Sequence, residues 1–144
     1  DLCASRGLGD VYKRQRTNDL GIASLASLLE FFGHELRVIN IPEGALHLTS
    51  ISSTPTDHII LAPEGYLSPE DFGVLPEDCE IIWMPEEEVY GCNTIGLPNG
   101  KVLMAKGYPS VKAALEGRGL KTVEIDMSEI RAADGSLTCC SIFY

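Results

Sequence analysis

The feature that most constrains this chain is an internal repeat. Over residues 46–84 the pattern reads strand, strand, helix, strand, and over residues 93–125 the same order recurs. In the first copy an apolar stretch at 46–53 runs into the turn-rich Ser-Thr-Pro-Thr-Asp, and a second strand covers 58–62 up to Pro63-Glu64-Gly65. A short helix at 68–72 follows, with Ser68 as its cap and Pro69 in its first turn, and then an apolar strand at 80–84. In the second copy strands at 93–97 and 101–105 are joined by Pro98-Asn99-Gly100, whose Asn-Gly pair suits positive φ. Pro109 opens a helix carrying Val111, Ala114 and Leu115 that stops at Gly117 or Gly119, and an alternating strand covers 120–125. Corresponding strands lie about 45 residues apart, a period at which units stack into solenoids or propellers because none can bury its apolar face alone.

What flanks the two copies reads as parts of others. Asn18 or Asp19 caps a helix with Leu20, Ile22, Ala23, Leu25, Ala26, Leu28, Leu29 and Phe32 at spacings of three and four, ending at Gly33. An alternating β-branched strand at 36–41, halted by Pro42, follows it. Helix and strand together are the end of an earlier copy whose first two strands are missing. At the other end, residues 137–143 form a lone strand, which in a closed circular array often completes the first repeat. Residues 1–15 stand apart: the run from Ser5 to Gln15 resembles a one-frame translation of a transposase-type DNA library adaptor, and it has neither helical nor strand periodicity. They are set aside as not native, with the true N-terminus expected upstream of Arg16.

Charge narrows the function classes. Eleven Lys and Arg stand against 21 Asp and Glu, a net charge of -10, so there is no concentrated basic face for nucleic acid or an anionic membrane. No apolar run reaches the roughly 18–20 residues of a membrane span, and no secretory signal is evident, so a soluble, cytoplasmic protein is expected. The five cysteines, with Cys139 and Cys140 adjacent, lack the even spacing of a disulfide framework, and reduced thiols are the expectation.

Three features could carry chemistry: the paired thiols in DGSLTCCS, His47 in ALHLTS, and Arg16 in RTND. Each has a bland explanation. Two cysteines in a strand point to opposite faces, a histidine in an apolar strand is commonly half-buried, and an arginine at a helix entrance is commonly solvated. Together, a Cys and a His on distant strand ends are what a nucleophilic pair requires. The acids Glu86, Glu87 and Glu88 read as a solvated run, and His34, His58 and Trp83 as surface or packing residues.

Across residues 16–144, the segments RTN, GALHLTS, GCNTIGLPNGKVL and DGSLTCCS resemble the dimethylarginine dimethylaminohydrolase family. That family belongs to the guanidino-group-modifying superfamily, with arginine deiminases and amidinotransferases. The resemblance implies a five-bladed α/β propeller of strand-strand-helix-strand modules, of which this chain is roughly the C-terminal half. It implies Cys139 as nucleophile, His47 as general acid/base, Arg16 as a clamp for the substrate α-carboxylate, and Asp134 with the backbone of Ala133 lining the guanidinium pocket. A guanidinium fork can hold a carboxylate bidentately, which suits Arg16 to that role. Cys140 is expected to face away from the substrate, and Asn93 has no assigned chemical role.

These residue types fit the reaction. A guanidinium carbon is a poor electrophile, so a thiolate is the suitable nucleophile. A histidine can protonate the departing nitrogen and then activate water to hydrolyse the thiouronium intermediate, giving citrulline and an alkylamine. The implied partner is a small cationic guanidino compound, with no metal or organic cofactor needed. The alternatives are an arginine deiminase or amidinotransferase of the same superfamily, a non-enzymatic binding protein on the same propeller, and a thiol-redox or metal-binding protein built on Cys139 and Cys140. Residues 16–144 alone are expected to be inactive and prone to association through open sheet edges.

Overall fold

The computed structural model describes residues 18–40, 42, 45 and 47–142. Residues 1–15, and Arg16 with them, lie outside the described residues.

Helix α1 (Asp19–Phe31) begins where the Asn18 side chain accepts a hydrogen bond from the Gly21 amide, 2.8 Å away, and ends before Gly33 at φ 75°. The expected strand at 36–41 does not form in its described part, residues 36–40. Residues 34–40 carry no ladder pairing, although Ile39 is buried, because no strand among the described residues lies beside them to take their backbone hydrogen bonds. Of the strand expected at 46–53 only Ser53 joins a strand; residues 47–52 instead hold a single turn of helix α2 (Leu48–Ile51) entered from His47 in extended backbone. A short apolar run cannot by itself distinguish strand from helix. Here Ile51 is buried beneath the turn, and the buried Ser52 hydroxyl donates to the Leu61 carbonyl at 2.6 Å.

Two three-stranded sheets follow, each with the repeat's order. The first comprises β1 (Ser53–Thr56), β2 (Ile59–Pro63) and β3 (Glu80–Met84), with β1 and β2 antiparallel, β2 and β3 parallel, and α3 (Pro69–Phe72) in the crossover. The turn expected in Ser-Thr-Pro-Thr-Asp falls slightly later, at Asp57 and His58, so Pro55 lies in β1, an edge strand where its missing N–H is tolerated. Helix α3 starts as expected: the Asp71 carboxylate accepts from the Ser68 amide at 2.8 Å and Pro69 fills the first position. The second sheet comprises β4 (Ile95–Leu97), β5 (Lys101–Ala105) and β6 (Lys121–Ile125), with the same antiparallel and parallel pairings and α4 (Pro109–Glu116) in the crossover. Asn99 and Gly100 carry positive φ in the turn between β4 and β5.

Alternation decides which residues meet. Ile59, Leu61, Ile82 and Met84 face the larger core, where Val111 and Leu115 of α4 pack with Val102 and Met104 of β5. Ile60 and Ala62 face the other way, into a second core with Ile39, Ile51, Leu67 and Phe72. The first sheet is therefore buried on both faces, and all five residues of β2 are buried.

The modules are stitched together at one seam. The Ser53 hydroxyl donates to the Cys92 carbonyl at 2.5 Å and accepts from the Thr94 amide at 3.1 Å. A Cβ at Gly96 would lie 2.3 Å from the Pro55 carbonyl oxygen, so the strands approach as closely as glycine allows. Glu88 corrects the view of its acidic run as merely solvated. Its carboxylate accepts from the Ser110 and Val111 amides at 2.9 and 3.0 Å, satisfying unpaired donors at the start of α4.

Candidate active site

The chain after β6 passes through α5 (Ser128–Ala132) and the left-handed Asp134, at φ 57°, before reaching a 3-10 turn at Thr138–Cys140. The lone strand expected at 137–143 is thus a tight turn in its described part, closed by Cys139 and Cys140 amides donating to the Ser136 and Leu137 carbonyls, each at 3.1 Å. Among the described residues no neighbouring strand offers them a ladder, so they satisfy their backbone locally. As a result the two thiols do not alternate between an inward and an outward face: Cys139 and Cys140 are both exposed.

His47 is exposed at the N-cap of α2, without a side-chain capping bond. The turns bearing His47 and Cys139 are brought side by side through one buried side chain. Asn93 is 1% exposed; its Nδ2 donates to the Thr49 carbonyl, two residues beyond His47, and to Thr138 Oγ1 at 2.9 Å. Its Oδ1 accepts from the Thr138 amide at 3.2 Å, immediately before Cys139. Ser136, 3% exposed, has its hydroxyl 3.3 Å from Thr138 Oγ1 and 3.2 Å from Cys139 Sγ.

Beside these turns is a cavity of about 440 Å³. Ala45, Ser50 and Ile51 line it on the His47 side, and Asp134, Gly135 and Ser136 on the Cys139 side. Asp134, one of the expected pocket residues, is therefore in the cavity wall; Ala133 precedes it as the C-cap of α5, and Cys139 and His47 stand outside the lining. Arg16, the expected carboxylate clamp, lies outside the described residues.

The wall also contains Tyr90 and Arg131, neither of them among the expected site residues. Arg131 stacks 4.9 Å above the Tyr90 ring and donates from Nη1 to the Tyr108 hydroxyl at 2.8 Å, while Tyr90 donates to the Gly135 carbonyl at 2.8 Å. Burial, ahead of the neighbouring charges, pushes both tyrosine hydroxyls above their ordinary pKa, so Tyr90 stays a neutral donor to Gly135 and Tyr108 a neutral acceptor from Arg131 near neutral pH. The signal for Asn93 was a polar residue inside the buried run Cys92-Asn93-Thr94-Ile95; nothing in the sequence marked Tyr90 or Arg131. Among the described residues no three His, Cys, Asp or Glu side chains are grouped as a metal site requires, and no helix is long and apolar enough to cross a membrane.

No family model matches the chain. An N(G),N(G)-dimethylarginine dimethylaminohydrolase of Pseudomonas aeruginosa is 33% identical over 127 residues, 88% of this chain and 48% of the relative. One of Streptomyces coelicolor is 27% identical over 129 residues, 88% of this chain and 46% of the relative. A solved structure of the Pseudomonas aeruginosa enzyme, a Cys-to-Ser variant complexed with citrulline, superposes with a TM-score of 0.74 at 31% identity, covering 90% of this chain and 48% of that one. An amidinotransferase of Microseira wollei shares the fold, with a TM-score of 0.72 at 22% identity, 90% of this chain and 42% of that one. The chain spans about half the length of the curated relatives it matches. Paired strand-strand-helix-strand modules with these likenesses define part of the α/β propeller shared by guanidino-group-modifying enzymes. Within that class, the chain is similar over 88% of its length to dimethylarginine dimethylaminohydrolases.

Proposed function

We propose that residues 16–144 are the C-terminal part of a propeller enzyme that hydrolyses the guanidino group of Nω-methylated arginine to citrulline and an alkylamine. The observation that carries this reading is the convergence of the His47 and Cys139 turns beside a cavity with Asp134 in its wall. Support also comes from a relative of the family that holds citrulline.

Cys139, exposed on its tight turn, is accessible to attack a guanidinium carbon. The new S–C bond gives a tetrahedral adduct. His47 protonates the substituted nitrogen, the C–N bond breaks, and the alkylamine leaves a thiouronium on the sulfur. The same histidine then takes a proton from water, which adds to that carbon. The S–C bond breaks to give citrulline and return the thiolate. The Asp134 carboxylate supplies negative charge opposite the cationic guanidinium, and Arg16 clamps the α-carboxylate at the far end of the substrate. No step calls for a metal or organic cofactor.

The test is a citrulline assay on the full-length enzyme with arginine and methylated arginines. Cys139→Ser and His47→Ala are each expected to lower kcat by at least about a thousandfold, as loss of a covalent nucleophile or its proton donor does. Full activity in Cys139→Ser with loss in Cys140→Ser would reassign the nucleophile. Residues 16–144 alone are expected to form no citrulline.

A further inference from the structure

We propose that Asn93 is the positioning residue for the Cys139 and His47 pair, and that it orients a chain of hydroxyls ending in a donor on the Cys139 sulfur. The inference rests on the assignment of that pair under the proposed function.

The geometry leaves the carboxamide one orientation. A backbone amide can only donate and a backbone carbonyl only accept, so the Thr138 N–H identifies Oδ1 and the Thr49 carbonyl identifies Nδ2. The three bonds use both amide protons and the oxygen of a side chain 1% exposed, and each partner is 44 or 45 residues distant in sequence. Such a buried group is costly to leave half-satisfied, so it specifies one mutual arrangement of the two turns.

The direction of the remaining bonds follows. Nδ2 donates to Thr138 Oγ1, which leaves the Thr138 proton to be donated to Ser136 Oγ at 3.3 Å. The Ser136 proton is then available for Cys139 Sγ at 3.2 Å. A donor on sulfur favours the thiolate, the attacking form. Asn93 therefore acts twice: it aligns the nucleophile's turn with the acid's turn, and it sets the polarity of the bonds that reach the nucleophile.

The experiment uses the full-length enzyme and reads two quantities, kcat with KM for citrulline formation and the rates at which iodoacetamide alkylates Cys139 and Cys140 at fixed pH. Asn93→Ala is expected to lower kcat by about 10- to 100-fold, the range set by ångström-scale misplacement of reacting groups, with KM changed less than about twofold. Thr138→Val removes the hydroxyl link while keeping the Thr138 amide bond to Oδ1. It should slow alkylation of Cys139 but not of Cys140 and lower kcat, whereas Thr138→Ser should restore both. If Asn93→Ala does not fold, the two Thr138 variants decide. Parental kcat in a folded Asn93→Ala, or unchanged Cys139 alkylation in Thr138→Val, overturns the proposal. An inactive parent enzyme on every guanidino substrate would overturn the assigned function and its positioning claim; the alkylation rates separately test the hydroxyl chain.

Discussion

Cys92 and Cys139 are chemically opposite despite sharing a residue type. Cys92 is fully buried, and desolvation first, with the Glu88 carboxylate second, pushes its thiol pKa up to about 12. At pH 8 the native chain should react with iodoacetamide at the exposed Cys139 and Cys140, while Cys92 reacts only after urea unfolding. Peptide mass spectrometry distinguishes the sites, and native labelling of Cys92 at the rate of Cys140 would contradict the prediction. Gly96 belongs to the same scale. Gly96→Ala drives a methyl against the Pro55 carbonyl and should cost about 1–3 kcal/mol by urea denaturation. Neither constraint is visible along the chain, since Pro55 and Gly96 meet only through the seam between modules. The roles proposed for Cys139 and His47 come from family resemblance, whereas the one proposed for Asn93 required knowing that Thr49 and Thr138 lie on either side of it.

Among the elements, those with their own local determinants matched expectation most closely. Helix α3 with Ser68, Asp71 and Pro69, the hairpin of β4 and β5 at Asn99-Gly100, and strand β3 all carry their signals within a few residues. Gly100→Ala has open space around it, so its cost is that of positive φ alone, about 1 kcal/mol by thermal or urea unfolding. Elements needing distant partners departed from expectation: residues 36–40 have no neighbouring strand among the described residues, and 47–52 folded into a turn over Ile51. Between modules, Arg118 hydrogen-bonds Glu80 at 2.5 and 2.7 Å. That bond lowers the Glu80 carboxyl below its ordinary 4.5 and raises the Arg118 guanidinium. A carboxyl depressed on folding stabilises the native state above its unfolded pKa and loses that contribution as pH falls through the folded value. Glu80→Gln should therefore cost less than about 1 kcal/mol at pH 7, as an exposed pair does, with the difference fading below about pH 4.5 and in high salt. Urea titrations at the two pH values measure it.

The whole molecule shows an asymmetry between its two sheets. Ile59, Leu61, Ile82 and Met84 on the first are covered by α4, while Leu97, Val123 and Ile125 on the corresponding face of the second are 37%, 41% and 43% exposed. The repeat thus buries its apolar surface only where a next module is present. Sedimentation velocity on the chain alone should show concentration-dependent association, relieved by Val123→Lys with Ile125→Lys at unchanged circular dichroism. A monomer at every concentration would contradict this. By itself the sequence determined the modular order, the hairpin, the caps and the acidic character, because periodicity, turn chemistry and charge act over a few residues or by simple summation. Only the tertiary structure decided that the Cys139 segment is a turn rather than a strand, that both its thiols are exposed, and that Asn93 ties it to the His47 turn. Those outcomes depend on which partners a backbone group or a buried amide can reach, and the partners of Asn93 lie 44 or 45 residues away in sequence.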